Sequence, residues 1–365
     1  LKRKFGKNQN PILDENFEPE VTLFISAYNE KYYIDEKMKN SLALEYPANK
    51  LRIVWVTDGS DDGTPELCSK YEGVQVLHDP ERKGKISAMN RGMQFVKTPI
   101  VVFSDANAML GEDSIRRMVH LFSNPKVGCV SGEKRIRQKE TDTASASGEG
   151  FYWKYESALK KWDAEWNTVV GAAGELFAIR TELYKEVEKD TLLDDFILSL
   201  RVAQQGYTVQ YDPNAYAIEN ASANVEEELK RKIRICAGGI QSIIRLKDLL
   251  NIFKYGKLSF QYISHRVLRW TLTPVCLLLL LPVSYLLALD SGLLQLSFYP
   301  VFFWLQILFY LFALTGWWLA NHSIKVKLLF VPYYFFIMNL SVFLGFHRYF
   351  SRTQVVNWEK AKRAV

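Results

Sequence analysis

Leu51-Arg-Ile-Val-Trp-Val-Thr-Asp-Gly-Ser-Asp-Asp-Gly-Thr64 opens as a run of β-branched and aromatic residues and closes in a cluster of acids and glycines. Such a run reads as a short strand buried on both faces, here 51 to 57, with Asp58 at its carboxyl end. Two further stretches repeat the pattern. A strand over 21 to 27 leads through Thr22-Leu-Phe-Ile-Ser-Ala-Tyr-Asn-Glu30, and one over 100 to 104 leads through Val101-Val-Phe-Ser-Asp-Ala-Asn107. Helical patterns follow each strand, so the fold class is α/β with a largely parallel sheet. Sheets of this kind bind ligands in the crevice beyond the carboxyl ends of their strands. Asp58, Asp105 and Asn107 are therefore expected to face one crevice.

An Asp or Asn after a strand often does no more than cap the next helix or shape a turn. Several at successive strand ends, in Gly- or Asn-bearing contexts, exceed what capping explains. Like charges that converge in a cleft repel unless a cation sits between them. The expected cation is Mg²⁺ or Mn²⁺, which prefers hard oxygen ligands and shares its shell with phosphates and water.

On these motifs the chain resembles the family-two inverting glycosyltransferases, the group holding cellulose, hyaluronan and poly-N-acetylglucosamine synthases, from about Val21 to Gly239. The resemblance implies a GT-A domain, the Rossmann-like fold of nucleotide-diphospho-sugar transferases, over 21–225. It assigns Glu30 and Asp58 to the uridine of a UDP-sugar, and the metal motif to Asp105 and Asn107, where an amide replaces the second carboxylate. Glu81-Arg-Lys-Gly-Lys-Ile-Ser-Ala-Met-Asn90 is similar to a family segment that puts Arg82 and Lys85 on the donor phosphates, with Lys85 opening a helix. Leu192-Leu-Asp-Asp-Phe196 looks like the family's T-E-D segment: Asp195 takes the place of the base that deprotonates the acceptor hydroxyl, Asp194 that of its acidic neighbour, and Leu193 replaces Thr. A carboxylate beside another acid has a raised pKa where the two converge, which suits a base near neutrality. Gly171-Ala-Ala-Gly-Glu-Leu-Phe-Ala-Ile-Arg180 resembles the Gly-rich segment lining the acceptor side, which marks Gly174 and Glu175. Arg231-Lys-Ile-Arg234-Ile-Cys-Ala-Gly-Gly239 keeps the spacing of the processive Q-x-x-R-W motif. Arg231 replaces Gln, Arg234 is kept for the diphosphate, and Ile235 replaces the Trp on which an acceptor sugar would stack.

Polarity then divides the chain. Residues 1–255 are charged and mixed, whereas Trp270 onward is dominated by Leu, Phe, Tyr and Trp. Spans of about 270–289, 298–319 and 328–346 each have the length a bilayer core requires, and Trp, Tyr, Lys and Arg flank them. The domain organisation expected is a basic juxtamembrane segment (1–20), the catalytic domain (21–225), amphipathic interface helices (226–266), a transmembrane region (267–347) and a basic tail (348–365). Ile243, Ile244, Leu246, Leu249, Leu250 and Phe253 alternate with basic positions, as in a helix lying on a membrane surface. Leu1-Lys-Arg-Lys-Phe-Gly-Lys7 reads as the cytoplasmic flank of a preceding span, so an upstream transmembrane helix is expected. The positive-inside rule wants both Lys325 and Lys327 and the tail (Arg348, Arg352, Lys360, Lys362, Arg363) in the cytoplasm. Three full crossings would separate them, which leaves a re-entrant or interfacial last segment, carrying Asn339 and Ser341, as the other expectation.

The net charge of +6 in 365 residues suits anionic headgroups and nucleoside diphosphates, and no basic-aromatic repeat points to nucleic acid. The four cysteines have neither metal spacing nor a disulfide framework, and the five histidines form no ligand pair. The expectation is a membrane-bound, metal-dependent inverting hexosyltransferase acting on a glycan or lipid-linked acceptor at the cytoplasmic face, within bacterial inner-membrane synthesis of envelope polysaccharide, with export or assembly proteins as possible partners. Two rivals stand beside it: a polyprenyl-phosphate glycosyltransferase, and a non-catalytic scaffold or export-channel subunit.

Overall fold

The computed structural model describes residues 14, 16–137, 144–220, 222, 225–321 and 326–352. The basic amino-terminal segment and positions 325, 360, 362 and 363 lie outside these.

The sheet has eight strands: β1 (Val21–Ala27), β2 (Leu51–Asp58), β3 (Val74–Asp79), β4 (Ile100–Asp105), β5 (Met109–Leu110), β6 (Val127–Arg137), β7 (Leu176–Arg180) and β8 (Thr208–Asn220). Their order across it is β3-β2-β1-β4-β7-β6-β8-β5. The expected strands are β1, β2 and β4, and with β3 they form a parallel half. Beyond β4 the sheet is mixed: β7 runs antiparallel to β4 and β6, β8 parallel to β6, and β5 antiparallel to β8. A largely parallel sheet thus describes only the first half. His78 lies within β3, bonded through Nδ1 to Thr57 Oγ1 at 2.8 Å.

The helices of this domain are α1 (Ile34–Leu42), α2 (Thr64–Cys68), α3 (Lys85–Met93), α4 (Ser114–Leu121), α5 (Ala144–Trp166) and α6 (Asp194–Gln204). Successive strand side chains point to opposite faces. Phe24, Val56 and Phe103 pack against Ile86 and Met89 of α3 and Ile197 of α6, while Leu23, Trp55 and Val102 pack against Met38 of α1 and Met118 of α4. Both faces are covered, which is why the strands read as continuous apolar runs.

The face carrying α3 and α6 continues into α7 (Val225–Arg245), the segment after it and one membrane helix, through Cys236, Leu249, Tyr262, Trp270 and Val342. Catalytic domain and membrane region share one core. The segment expected to hold amphipathic interface helices, 226–266, consists of α7 and the short helical turns that follow it up to Trp270. Its expected apolar row divides: Leu246 and Leu249 are buried, whereas Ile244, Leu250 and Phe253 are exposed.

Three helices, α8 (Leu272–Asp290), α9 (Phe298–Asn321) and α10 (Lys327–Phe350), are long and apolar enough to cross a membrane and coincide with the expected spans. α10 is one unbroken helix from Lys327 to Phe350. Its polar residues have inward tasks: Asn339 lines the central cavity, and Ser341 lies 3.5 Å from Cys236 Sγ on α7.

Candidate active site

The carboxyl ends of β1, β2 and β4 open into a cavity of about 1420 Å³. Glu30, Asp58, Arg82, Lys85, Asp105, Asn107, Gly174, Glu175, Asp194, Asp195, Arg231 and Arg234 all line it. Every residue expected at the site is therefore brought to one place.

Four Asp residues at and just beyond the ends of β2 and β4 do different work. Asp58 is buried, and its carboxylate accepts backbone N–H bonds from Lys83 (3.0 and 3.1 Å) and Gly84 (2.7 Å), tying the basic loop to the end of β2. Beside it Gly59 adopts φ +66°, and a Cβ there would lie 2.6 Å from Arg82 Cβ, so the turn needs glycine. Asp61 bonds Asn29, and Asp62 accepts from the Lys31 N–H (3.2 Å) and from Thr64 N–H and Oγ1 (3.0 and 2.6 Å). These two acids do turn chemistry only. Asp105 alone of the four turns its carboxylate to an ion pair inside the cavity.

Lys85, at the first position of α3, connects the two halves of the site. Its Nζ donates to Asp105 Oδ1 at 2.9 Å and stands 3.3 Å from Asp194 Oδ2. Burial lowers the ammonium pKa, but Asp105, Asp194 and Asp195 outweigh it and hold the group above its ordinary value. Lys85 here meets carboxylates, where the family resemblance assigned it to phosphates. The Arg82 guanidinium lies 3.8 Å above the Tyr28 ring, just beyond the end of β1.

Asp194 and Asp195 open α6. Burial, then the neighbouring Asp194, push the Asp195 carboxyl up to about 7, against the pull of Lys85. Its Oδ1 accepts the N–H of Phe196 at 2.8 Å. A Cβ at Gly174 would lie 3.0 Å from Oδ2, so this glycine leaves room beside the Asp195 carboxylate. Glu175, expected on the acceptor side, accepts from Lys134 Nζ, which also donates to Glu219 at 2.6 Å. Burial opposes ionisation of Glu175, yet Lys134 brings it down to about 2. Arg231 is engaged by Glu228, Nε to Oε2 and Nη2 to Oε1 at 2.8 Å each. Arg234 is brought down to about 10 by burial and by Arg231, against the attraction of Asp194, Asp195 and Asp105.

Four buried charged side chains around the cavity escaped sequence reasoning. Lys134 and Glu219 sit on the buried rows of β6 and β8, where a charge in register with small apolar residues was the available signal. Lys37 of α1, fully buried, donates to Ser104 Oγ (2.8 Å) and the Ala108 carbonyl, on either side of Asp105 and Asn107 in the chain; burial brings it down to about 7, against Asp105 and Glu219. Glu156 of α5 takes Arg266 (3.2 Å) and Arg269 at the membrane end of the cavity.

Among the described residues no three His, Cys, Asp or Glu side chains form a metal cage. Asp105 and Asn107 still offer two hard oxygens in an acidic cavity, and Asp105 is raised by burial and by Glu219 and Glu175, so it gains from a cation. That donor set fits Mg²⁺ or Mn²⁺ completed by phosphate and water rather than held by protein alone.

Residues 19–238 match the family described as "Glycosyltransferase like family 2". The chain belongs to this glycosyltransferase family. Poly-beta-1,6-N-acetyl-D-glucosamine synthase of Staphylococcus aureus (strain COL) is 26% identical over 253 residues, 66% of this chain and 60% of that protein. The Staphylococcus epidermidis enzyme of the same name is 24% identical over 296 residues, 78% of this chain and 70% of that protein. The chain spans about 60% of the length of the S. aureus relative. A mannosyltransferase from Pyrobaculum calidifontis, solved with GDP-Man and Mn²⁺, superposes with a TM-score of 0.67 over 94% of this chain and 90% of its own, at 22% identity. That likeness establishes the GT-A fold, with its mixed α/β sheet, for a family-two member followed by three apolar helices.

Proposed function

We propose that this family-two member is an integral-membrane inverting glycosyltransferase that moves a sugar from UDP to a hydroxyl of a glycan or lipid-linked acceptor, at the cytoplasmic face of a bacterial inner membrane, in envelope polysaccharide synthesis. One observation carries the reading. Asp195, tuned to about 7, shares a cavity with Asp105 and with the nucleotide-side residues Glu30 and Arg82. A base with a pKa near the working pH is both deprotonated and strong enough to take a proton.

Asp195 accepts the proton of the acceptor hydroxyl as its oxygen bonds to the anomeric carbon from the face opposite the nucleotide. The bond to the diphosphate breaks, and the nucleoside diphosphate leaves with the electron pair. Arg234 and Arg82 hold the leaving group, and Asp194 sustains the raised pKa of its neighbour. A divalent cation on Asp105 and Asn107 would supply charge stabilisation to the departing diphosphate. A scaffold without catalysis would have no use for a tuned carboxylate in an open cavity.

For topology, α10 lies lengthwise on α7. Tyr334 donates to Glu228 at 3.2 Å, Ser341 meets Cys236, and a Cβ at Gly345 would lie 2.6 Å from Cys236 Cβ. The span window of α10 is 33% buried, against 17% for α8 and α9. Two crossings, α8 and α9, with α10 along the cytoplasmic interface, put Lys327 and Arg348 on one side as the positive-inside rule wants.

The purified chain, supplied with a panel of labelled UDP-sugars and membrane extract, tests the function. Transfer should stop in excess chelator and in Asp195→Asn, while that variant still binds UDP. Undiminished turnover by Asp195→Asn would remove the base, and undiminished turnover in chelator would remove the metal.

A further inference from the structure

Asp195 enters the cavity from the first turn of α6, and that turn has no side-chain cap. The cap position holds Leu193, where the family segment has Thr. A hydroxyl there would accept one of the N–H groups that a helix start leaves without a partner, and leucine cannot. The Phe196 N–H goes to Asp195 Oδ1 instead, a local bond that says nothing of where the turn sits in the molecule. Something else must fix the direction in which the chain enters α6.

α7 does so through one stripe of its surface. Gln241 is buried and uses both ends of its amide on the segment before α6: Oε1 accepts the Leu192 N–H at 3.0 Å, and Nε2 donates to the Asp190 carbonyl at 2.9 Å. One turn on, Arg245 donates through Nη1 to Thr191 Oγ1 (2.7 Å) and through Nη2 to Asp190 Oδ1 (2.6 Å). One turn back, a Cβ at Gly238 would lie 2.7 Å from Leu193 Cγ and 2.9 Å from Leu192 Cβ, so the segment lies directly on the helix. Positions 238, 241 and 245 have the i, i+3, i+7 spacing of one helix face. Among the described residues that line the cavity are Thr191, Leu192 and Leu193, and the three of α7 are not among them. Whatever these three do for the chemistry passes through the segment. α7 is itself well held, since added Cβ atoms at Gly239 and at Gly345 of α10 would lie 2.5 Å from Trp270 and 2.6 Å from Cys236.

We infer that Gln241 and Arg245 are positioning residues for the base: they hold residues 190–193 on α7 and so set where the Asp195 carboxylate stands, the task that a capping hydroxyl at position 193 would share. The inference rests on the glycosyltransferase reading, in which Asp195 is the base, and adds what places it. Gln241 has the larger part, because its bonds are buried and made to backbone, whereas the Asp190 side chain paired with Arg245 is 64% exposed. The carboxylate so placed faces Asp194, Glu175, Lys85 and Arg234. A turn that drifts from α7 takes Asp195 away from the burial and the Asp194 charge that hold its pKa up.

The test uses the full chain in nanodiscs, with a labelled UDP-sugar that the parent turns over. Gln241→Met keeps the volume of the side chain and removes both bonds. It should lower kcat about 10–100-fold, the effect of a small misplacement of a reacting group, with UDP affinity within about twofold of the parent. The alkaline-rising limb of kcat/KM should move down in pH by about half a unit or more as Asp195 relaxes toward water. A variant that merely folded less well would scale the whole profile and leave the limb in place. Arg245→Gln should act in the same direction with a smaller loss. Leu193→Thr, which restores a cap, should raise the kcat of Gln241→Met at least about threefold more than it changes that of the parent. The inference is overturned if Gln241→Met keeps its kcat, if its limb stays where the parent's lies, or if Leu193→Thr acts equally in both backgrounds. A parent chain that turns over no UDP-sugar would instead refute the glycosyltransferase reading, and the inference with it.

Discussion

Asp58 and Asp195 are the same residue, each at the start or end of a regular element, each in the wall of one cavity, and their surroundings give them opposite tasks. Backbone N–H groups of Lys83 and Gly84 converge on the Asp58 carboxylate. Asp195 receives one N–H, from the next residue, and faces Asp194 and Glu175 in a buried setting. The first carboxylate fastens the basic loop to the end of β2. The second, the base of the proposed mechanism, has its charge poorly provided for. Motif spacing locates both, and only the donors around each carboxylate say which will do chemistry.

The sharpest way to break this contrast is Asp195→Asn. Removal of a general base should lower kcat by about 10²–10⁴-fold, with UDP affinity unchanged by calorimetry. Stability should move the other way. A carboxyl whose folded pKa is raised from its usual value to about 7 binds its proton more tightly folded than unfolded, so the folded state loses stability as pH rises through that interval. Asp195→Asn should therefore melt at a higher temperature than the parent above pH 7, and the gain should shrink as pH falls toward the ordinary carboxylate range. An Asn variant equally inactive but less stable would mean that Asp195 holds the fold.

Asp58→Asn should show the opposite signature. It trades a charged acceptor of several N–H bonds for an amide that can accept at one oxygen only, a loss of about 1–3 kcal/mol, read by denaturant titration. KM for the donor should rise several-fold because Arg82 and Lys85 follow the loop, while kcat falls far less than in Asp195→Asn. Gly59→Ala should act in the same direction, since its φ of +66° and the nearby Arg82 backbone leave no room for a methyl group. If Asp58→Asn lost kcat and kept its stability, the assignment of Asp58 as fastener would fail.

The donor half was legible because the physics there is local. Uninterrupted apolar runs marked β1, β2 and β4, and the turn residues at their ends placed Glu30, Asp58, Asp105 and Asn107 on one crevice. The other half hides its strands. β6 carries Gly128 and Gly132 and turns polar from Ser131 onward, and β8 includes Asp212 and Pro213, which read as loop. Tertiary pairing between β6 and β8, with shifts in register, overrides those local preferences. The pairing of Lys134 with Glu175 and Glu219 could not be read for the same reason, because it joins β6, the turn before β7 and β8. Asp194 and Asp195 were found through family resemblance; their sequence alone suits a helix start equally well. The third apolar helix was recognised by composition, and its docking on α7 depends on contacts such as Gly345 with Cys236 that no local pattern reveals.

Lys85→Met gives the smallest effect and the finest discrimination, because Lys85 touches both sides of the contrast. In the parent, kcat/KM for transfer should rise with pH along a limb centred about 7, as Asp195 loses its proton. The Lys85 ammonium, 3.3 Å from Asp194 Oδ2, is what pulls that value down. Without it Asp195 should hold its proton to higher pH, and the limb should move upward whatever happens to the plateau. On the acid side of the limb, each unit of such a shift lowers the rate tenfold at fixed pH. The plateau will also fall if Lys85 meets phosphate during turnover, so the position of the limb is the quantity that decides. A limb that stays in place would mean that Lys85 leaves the carboxylates for the diphosphate once donor is bound, and that burial and Asp194 alone set the strength of the base.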